Sequence, residues 1–200
     1  MDKAKIAVLV SGGGTNLQAL IDAQKSGIIQ SGEITLVISN NPDAYALTRA
    51  DNAGIPTAVL TKKQCGGQTG FEEAIKKLLD GNKINLIVLA GFMSILSENF
   101  TKDYPERIVN VHPSLIPSFC GKGFYGLRVH EEALNYGVKV TGATVHFVNE
   151  IPDGGRIILQ KAVEIQEGDT PEILQKRVME QAEWEILPAA VEQVSKQLIG

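Results

Sequence analysis

The chain has 200 residues, of which 44% are apolar and 21% charged, and these shares exclude a disordered chain and indicate one globular domain with a sizeable core. Its 19 Lys and Arg residues against 23 Asp and Glu residues give a formal net charge of −4. This acidic balance and the lack of a Lys/Arg-rich run argue against nucleic acid as the main partner, because neutralising phosphates requires clustered positive charge.

The first half of the chain alternates short apolar runs with longer amphipathic ones. Lys5–Val10 is a continuous aliphatic run closed by glycines, which predicts a strand buried on both faces. Further strands are predicted at Glu33–Ser39, Pro56–Leu60 and Ile84–Ala90, and helices at Thr15–Lys25, Asp43–Ala53 and Phe71–Leu79. This βαβαβαβ order is typical of a mostly parallel sheet with helices on both faces, so we predict a doubly wound α/β fold.

The pattern changes after residue 106. Arg107–His112 predicts a strand, residues 113–127 a loop with glycine, proline and aromatic residues, and Arg128–Tyr136 a helix. Lys139–Val148 and Arg156–Glu164 predict two strands joined by a hairpin-like connection that ends in two glycines. We find no repeat and no linker, and therefore expect a single domain.

The last helix is predicted from a start signal and an apolar stripe. Asp169 is expected to cap it, with Pro171 in the first turn and Glu172 three residues after the cap. The stripe consists of Ile173, Leu174, Val178, Ala182, Ile186 and Leu187. Pro188 is expected to kink or end the helix, because proline lacks the N–H that helical hydrogen bonding needs.

Membrane attachment and secretion are not expected. The longest apolar stretches, such as Ala4–Val10, have the length of a strand, whereas a membrane span needs about 20 consecutive apolar residues. The N-terminal apolar run is too short and too soon ended by glycine for a signal peptide. Cys65 and Cys120 form no CxxC pair; a disulfide between them stays open, but a disulfide-stapled secreted scaffold is excluded. We therefore expect a cytoplasmic protein.

A glycine turn, Gly12–Gly14, lies where the first predicted strand ends and the first helix begins. Glycines allow the backbone to approach a ligand, and the free N–H groups and dipole at a helix start favour an anion such as phosphate. Thr15 and Asn16 add hydroxyl and amide donors. The turn is not a dinucleotide fingerprint, since Leu17 stands at the third glycine position, and it is not a Walker A loop. On the motif alone, a tight strand-to-helix turn explains the glycines equally well.

Asn110 and His112 are two residues apart on a predicted strand, so both side chains point to the same face. A histidine beside an amide suits proton transfer and the stabilisation of an oxyanion. From the residues alone, however, a single histidine is more often a satisfied member of the core. Asp153, in Ile-Pro-Asp-Gly-Gly, is by itself most often a turn residue, and spacing does not pair it with His112.

Five segments of the chain, taken together and in order, resemble the phosphoribosylglycinamide formyltransferase family of purine synthesis. They are VLVSGGGTNLQALIDA, NLIVLAGFMSILS, IVNVHPSLIP, GATVHFVNEIPDGGRIILQ and EGDTPEIL. The resemblance implies transfer of a formyl group from the co-substrate 10-formyltetrahydrofolate to the amine of 5′-phosphoribosylglycinamide. It also implies a formyltransferase domain over residues 1–200, with a phosphate-binding half of about residues 1–105 and a folate-binding, catalytic half of about 106–200.

The resemblance implies that Asn110, His112 and Asp153 form a catalytic trio. A protonated His112 and the Asn110 amide would stabilise the negative charge that develops on the formyl oxygen. Asp153 close to His112 would favour the cationic imidazole and raise its pKa. No metal is expected, because the histidines and the two distant cysteines show no ligand spacing. We expect small-molecule substrates and a monomer or homodimer.

The resemblance also implies two groups of binding residues. They are Gly14, Thr15 and Asn16 for the ribose 5-phosphate, and Met93, Ser94, Ile95, Leu96, Asn149, Glu150, Ile151, Pro152 and Asp153 with Asn110 for the pterin. Gln68 is also predicted to bind the folate; it stands where many relatives carry an Arg that holds a folate carboxylate, and Ser94 stands where many carry a basic residue. Lys122 and Arg128 are candidates for the missing charge. Without the resemblance, core packing is the better explanation of Met93–Leu96.

Glu183 is predicted to contact the amine end of the substrate. Glu180 and Glu185 compete for this role, and three acidic residues on one helix more often form a solvated face. The stretch Arg177–Pro188 is one residue longer than the family spacing, which leaves the choice among the three open.

Three alternative functions stay open. A formyltetrahydrofolate hydrolase would carry an additional N-terminal regulatory domain, and a methionyl-tRNA formyltransferase a further basic C-terminal domain. Both share the catalytic trio and the folate. The third alternative is a nucleotide-binding module without catalysis, which would use the glycine turn alone and would have no reason to place Asn, His and Asp in these contexts.

Overall fold

The computed structural model describes residues 3–200, and seven of its strands form one sheet. The strands are β1 (Ala4–Val10), β2 (Gly32–Ser39), β3 (Thr57–Val59), β4 (Leu86–Leu89), β5 (Ile108–His112), β6 (Val140–Phe147) and β7 (Ile157–Glu164). Their order is β3-β2-β1-β4-β5-β6-β7. β1 to β5 run parallel to one another, β6 runs antiparallel to β5, and β7 runs antiparallel to β6. The predicted doubly wound, mostly parallel α/β fold is confirmed.

Seven α-helices cover the two faces of this sheet. They are α1 (Thr15–Ser26), α2 (Tyr45–Asn52), α3 (Gln68–Gly81), α4 (Glu98–Lys102), α5 (Leu127–Tyr136), α6 (Pro171–Val178) and α7 (Trp184–Ile199). A π-helical turn, Met179–Glu183, joins α6 to α7. Within residues 3–200, no helix is long and apolar enough to span a membrane.

The core lies on both sides of β1, because successive side chains of a strand point to opposite faces. Val8 lies in a core that includes Val191 of α7, and Leu9 lies in a second core that includes Phe71 of α3. All four of these side chains are completely buried. The expectation that the first strand is buried on both faces is confirmed.

Two helix boundaries differ from the prediction in a way that affects the site. α3 begins at Gln68, three residues before the predicted Phe71, so Gln68 lies in the first turn of a helix. α4 was not predicted; it has only five residues, and the hydroxyl of Ser97 caps it by accepting from Phe100 N at 3.2 Å. The periodicity of apolar residues is too weak a signal for a helix of one turn.

The start of the last helix is also corrected. Thr170, rather than Asp169, caps α6, because its hydroxyl accepts a hydrogen bond from Ile173 N at 3.4 Å. Asp169 instead holds both terminal nitrogens of the Arg177 guanidinium. Ile173 is 49% exposed and so does not belong to the buried stripe, whereas the other five predicted members are buried.

The π-helical turn lies within Arg177–Pro188, the stretch that the sequence predicts to be one residue longer than the family spacing. A π-helical turn closes its hydrogen bonds between residues i and i+5 and so takes one more residue than an α-helical turn. Pro188 does not end the helix: it is buried inside α7, which continues to Ile199. Burial of its ring offsets the hydrogen bond that proline cannot make.

Gly155, in the connection between β6 and β7, and Gly81, in α3, are expected to differ sharply in their tolerance of alanine. A Cβ at Gly155 would lie 1.7 Å from the carbonyl oxygen of Phe147, which is fixed backbone. We expect Gly155→Ala to lower the free energy of unfolding by more than about 2 kcal/mol. Gly81→Ala is the control, since a Cβ there meets nothing within 4 Å and the residue lies in α3; we expect no loss or a gain of up to about 1 kcal/mol. Urea denaturation measures both, and equal effects would contradict this account.

Candidate active site

The carboxyl ends of β1, β4 and β5 meet at one edge of the sheet, where open α/β sheets bind ligands. The glycine turn follows β1, the loop of residues 91–97 follows β4, and Asn110 and His112 lie on β5. Met93 N donates to the hydroxyl of Ser11 at 2.8 Å, which joins the second loop to the glycine turn. The two predicted binding segments are therefore neighbours.

His112 is held at both ring nitrogens and is only 4% exposed. Its Nε2 lies 2.9 Å from the carbonyl oxygen of Phe119, and its Nδ1 lies 3.5 Å from Oδ2 of Asp153. A carbonyl only accepts, so we assign the proton of the neutral ring to Nε2. Nδ1 then carries no proton in the neutral ring and faces the carboxylate of Asp153. It is the atom at which the ring can take up a proton.

Burial lowers the pKa of His112, and the nearby Asp153 charge opposes this by raising it. Asp153 thus acts in the predicted direction. The loss of solvation of the ring is the larger effect, so the net direction of the pKa of His112 is below its ordinary value. Burial thus favours the neutral imidazole, while the Asp153 charge favours the cation.

His146 joins the site, although the sequence analysis assigned it no role. It lies on β6 directly opposite Asn110 in the antiparallel ladder. Its Nδ1 donates to Phe147 O at 2.8 Å, so its Nε2 accepts from Asn110 Nδ2, 3.3 Å away. No local signal in Gly-Ala-Thr-Val-His-Phe indicates this pairing, because the register between β5 and β6 creates it.

Asp153 lies between the two imidazoles. Its Oδ1 is 3.6 Å from His146 Nε2, and its Oδ2 accepts from Gly121 N at 2.8 Å. Burial raises the pKa of Asp153, but His146, His112 and the Gly121 N–H together lower it by more than burial raises it, so the net direction is downward. The carboxylate is therefore charged across the physiological range.

Two non-glycine residues beside His112 adopt left-handed backbone conformations. Asp153 has φ 55° and Phe119 has φ 48°. Such conformations are uncommon for residues with a side chain, and they concentrate at functional sites. Here they place a carboxylate and a carbonyl oxygen on opposite sides of one imidazole. Asp153 does lie in a turn, since Gly154 N donates to Ile151 O at 2.9 Å, but its carboxylate reaches across to the histidines.

Glu183 is the acidic residue that reaches the first turn of α1, directly after the glycine turn. It is 6% exposed, and its Oε2 accepts from Asn16 Nδ2 at 2.8 Å. Burial raises the pKa of Glu183, and the hydrogen bond from Asn16 partly opposes this. Glu180 and Glu185 are exposed and pair with Lys176 and Lys161, respectively. The three acids are therefore not one solvated face.

The loop after β4 is held from behind by α3. Gln68 Nε2 donates to Ile95 O at 3.0 Å and to Glu72 Oε1 at 2.5 Å. The same Glu72 carboxylate accepts from the backbone N of Ser97 at 2.7 Å. Gln68 is therefore occupied inside the protein. Ser94 is similarly engaged, since its hydroxyl accepts from Asn40 Nδ2 at 2.8 Å.

Held in this way, the loop presents apolar side chains outward. Met93 is 59% and Ile95 71% exposed, so core packing is the wrong explanation for these two, whereas Leu96 is buried. Ile151, in the second predicted pterin segment, is also exposed, and its N donates to Asn149 Oδ1 at 3.0 Å.

Comparison with known proteins decides the family. The family model described as Formyl transferase matches residues 4–191, which is nearly the whole chain. The chain belongs to the formyl transferase family. Phosphoribosylglycinamide formyltransferase of Haemophilus influenzae is 45% identical over 187 residues, covering 94% of this chain and 85% of that protein. Glycinamide ribonucleotide transformylase 1 of Symbiobacterium toebii superposes with a TM-score of 0.90 at 40% identity, covering 98% of this chain and 89% of that one.

Other relatives of this formyl transferase chain are much longer. The trifunctional purine biosynthetic protein adenosine-3 of Gallus gallus is 47% identical over 194 residues. That match covers 97% of this chain but only 19% of the relative. The chain thus spans about a fifth of the length of these relatives.

A cavity of about 730 Å³ lies beside Asp153 in this formyl transferase chain. Its walls come from the segment after β5, including Pro117 and Cys120, and from residues 151–157. Cys65 and Cys120 are both free, so the disulfide left open by the sequence does not form. Lys122 is exposed, and Arg128 lies over the ring of Phe124, 6.0 Å from its centre; a folate-binding role for either stays a prediction.

The contact between α3 and the loop after β4 leads to a test of loop order. Gln68→Leu removes the donor to Ile95 O, so we expect amide hydrogen exchange over residues 91–97 to accelerate by roughly tenfold, the loss of about one buried hydrogen bond. Hydrogen exchange read by mass spectrometry measures this. Thr69→Ala, in the same helical turn, is the control and should leave the rate unchanged. An unchanged rate in Gln68→Leu would show that the loop does not depend on this contact.

Proposed function

We propose that this chain transfers the formyl group of 10-formyltetrahydrofolate to the amine of 5′-phosphoribosylglycinamide, giving the N-formyl product and tetrahydrofolate. The observation that carries the proposal is the arrangement of His112 and His146 beside the half-buried carboxylate of Asp153, with Asn110 bonded to His146, at the sheet edge that also holds the glycine turn. The names of the similar proteins support the same reaction.

The formyl folate supplies a carbon that the amine of the second substrate attacks, and the bond from that carbon to the folate nitrogen breaks. Asn110 uses one amide hydrogen to bond His146, which leaves its second for the oxygen that gains negative charge. The neutral His112 accepts a proton at Nδ1, and Asp153 stabilises the imidazolium that results. His112 then returns the proton toward the leaving nitrogen, so the proton balance closes.

The glycine turn and Glu183 are proposed to hold the second substrate. Gly14, Thr15 and Asn16 would bind the ribose 5-phosphate at the start of α1, where backbone N–H groups and the helix dipole favour an anion. Glu183, buried and bonded to Asn16, would place a carboxylate beside the amine end. A carboxylate there suits an amino group, because it accepts hydrogen bonds and attracts positive charge.

The apolar loops are proposed to hold the pterin. The residues are Met93, Ser94, Ile95 and Leu96 after β4, and Asn149, Glu150, Ile151, Pro152 and Asp153 before β7. Exposed Met and Ile side chains suit the apolar faces of a flat ring. We also propose the division into a phosphate-binding half (about 1–105) and a folate-binding half (about 106–200). Two elements cross this division: Met93–Leu96 of the first half would bind the folate, and Glu183 of the second half would bind the phosphate-bearing substrate.

Turnover of 5′-phosphoribosylglycinamide with and without the formyl donor tests the proposal. Formation of the N-formyl product only with both substrates present is the expected result. Release of formate from the donor without the amine would instead favour a hydrolase, and phosphate binding without turnover a nucleotide-binding module. The small-molecule substrates, the cytoplasmic location and the choice between monomer and homodimer stay predictions.

Replacing the central carboxylate tests the mechanism. We expect Asp153→Asn to lower kcat by about 10²–10⁴-fold, the usual contribution of acid–base groups. The Asp153 charge raises the pKa of His112, so its removal lowers that pKa further below the ordinary value. NMR titration of His112 in both proteins measures this shift. A mutant with nearly full kcat, or with an unchanged His112 pKa, would reduce Asp153 to a turn residue.

Three matched variants test the choice among the acids. Glu183→Gln keeps an acceptor for Asn16 but removes the charge, so we expect the KM for the glycinamide substrate to rise at least about tenfold, equivalent to about 1.4 kcal/mol. Because burial raises the pKa of Glu183, its charged form is disfavoured in the folded protein at neutral pH, and the variant should be as stable or more stable there. Glu180→Gln and Glu185→Gln are controls with unchanged KM. A rise in KM in either control alone would transfer the role to that residue.

A further inference from the structure

The carbonyl oxygens around the glycine turn are all hydrogen-bonded within the protein. Four successive carbonyls accept hydrogen bonds: Ser11 (from Asn41 Nδ2, 3.2 Å), Gly12 (from Ala46 N, 3.0 Å), Gly13 (from Arg49 Nε, 2.8 Å) and Gly14 (from Gln18 N, 2.9 Å). Three of the donors come from α2 and the segment before it, and the last comes from α1. The only charged donor among them is Arg49.

The geometry of the peptide bond makes these carbonyl bonds matter for an anion. In a planar trans peptide, the C=O of one residue and the N–H of the next point in opposite directions. When the Gly13 carbonyl is drawn towards α2, the Gly14 N–H is turned away from α2. The same holds for the Gly12 carbonyl and the Gly13 N–H. Fixing the carbonyls from behind therefore aims the N–H groups at the space before α1.

The contact between α2 and the turn is close. Gly14 has φ 73°, and a Cβ there would lie 2.6 Å from Cβ of Ala46 and 3.4 Å from Cδ of Arg49. Glycine is thus needed at this position both for its backbone conformation and for the approach of α2. The turn rests on the helix that carries Arg49.

Arg49 is itself held in place. Its Nη1 donates to Gln18 Oε1 at 3.1 Å, and its guanidinium carbon lies 5.0 Å from the centre of the Tyr45 ring. The planar guanidinium can bond Gly13 O and Gln18 together in one fixed orientation, which a lysine ammonium cannot reproduce.

We propose that Arg49 is a positioning residue for phosphate recognition. It holds the Gly13 carbonyl towards α2 and thereby presents the Gly14 N–H and the N–H groups that follow it to the phosphate of the substrate. The inference rests on the proposed function, which supplies the phosphate. None of the predicted binding residues lies in α2. The inference makes this helix responsible for the conformation of the glycine turn that binds the phosphate.

Kinetics with each substrate varied separate positioning from charge and from fold. Arg49→Met removes both hydrogen bonds, Arg49→Lys keeps only the charge, and Thr48→Ala on the exposed side of α2 is the control. We expect the KM for 5′-phosphoribosylglycinamide to rise roughly tenfold in both Arg49 variants, the loss of a charge-assisted hydrogen bond. The kcat and the KM for the formyl folate stay within about twofold. A lysine variant with the wild-type KM, or equal rises in both KM values, would overturn the proposal.

Titration with inorganic phosphate gives a readout that does not depend on activity. In the wild type and in Thr48→Ala, we expect the NMR amide signals of Gly13, Gly14 and Thr15 to shift with phosphate, and in Arg49→Met to need roughly tenfold more of it. Signals that do not move in the wild type, or that move alike in Arg49→Met, would overturn the inference. A wild-type protein whose signals move but that does not formylate the amine substrate would reject the proposed function alone.

Discussion

The half-buried carboxylate of Asp153 is the charge on which the arrangement of the site depends. A carboxylate taken out of water is stable only when donors surround it. Here the Gly121 N–H donates to it, and ring nitrogens of His112 and His146 lie 3.5 and 3.6 Å from its oxygens. Each comes from a different part of the chain: His112 from β5, Gly121 from the loop after β5, and His146 from β6. The left-handed backbone of Asp153 and the register between β5 and β6 are the structural conditions for this encounter.

The two loops proposed to bind ligands are organised by the same physical device. Each follows a parallel strand and is held from behind by a charged side chain of a neighbouring helix. Arg49 of α2 donates to a carbonyl of the glycine turn, whereas Glu72 of α3 accepts from a backbone N–H in the loop after β4. In the first case the free N–H groups face outward, which suits an anion; in the second the apolar side chains do, which suits a flat ring.

The π-helical turn between α6 and α7 links this edge of the sheet to the end of the chain. It lies within Arg177–Pro188 and ends at Glu183, the residue that bonds Asn16. A regular helix with the same residues would rotate the later side chains by about 100° relative to the earlier ones. The irregular turn is thus part of what directs this buried acid, and neither of its exposed neighbours, to the first turn of α1.

The sequence alone determined the doubly wound fold, because alternating apolar runs report burial locally along each strand and helix. The family resemblance of its motifs indicated Asn110, His112 and Asp153 as candidate catalytic residues. In the structure Asp153 lies beside His112 and His146, and Asn110 bonds His146. Only the tertiary structure decided the place of His146, the burial of Glu183 beside Asn16, and the lowered pKa of His112. These features depend on strand register, helix phase and loss of solvation, which arise between segments distant in sequence and leave no periodic signal within any one of them.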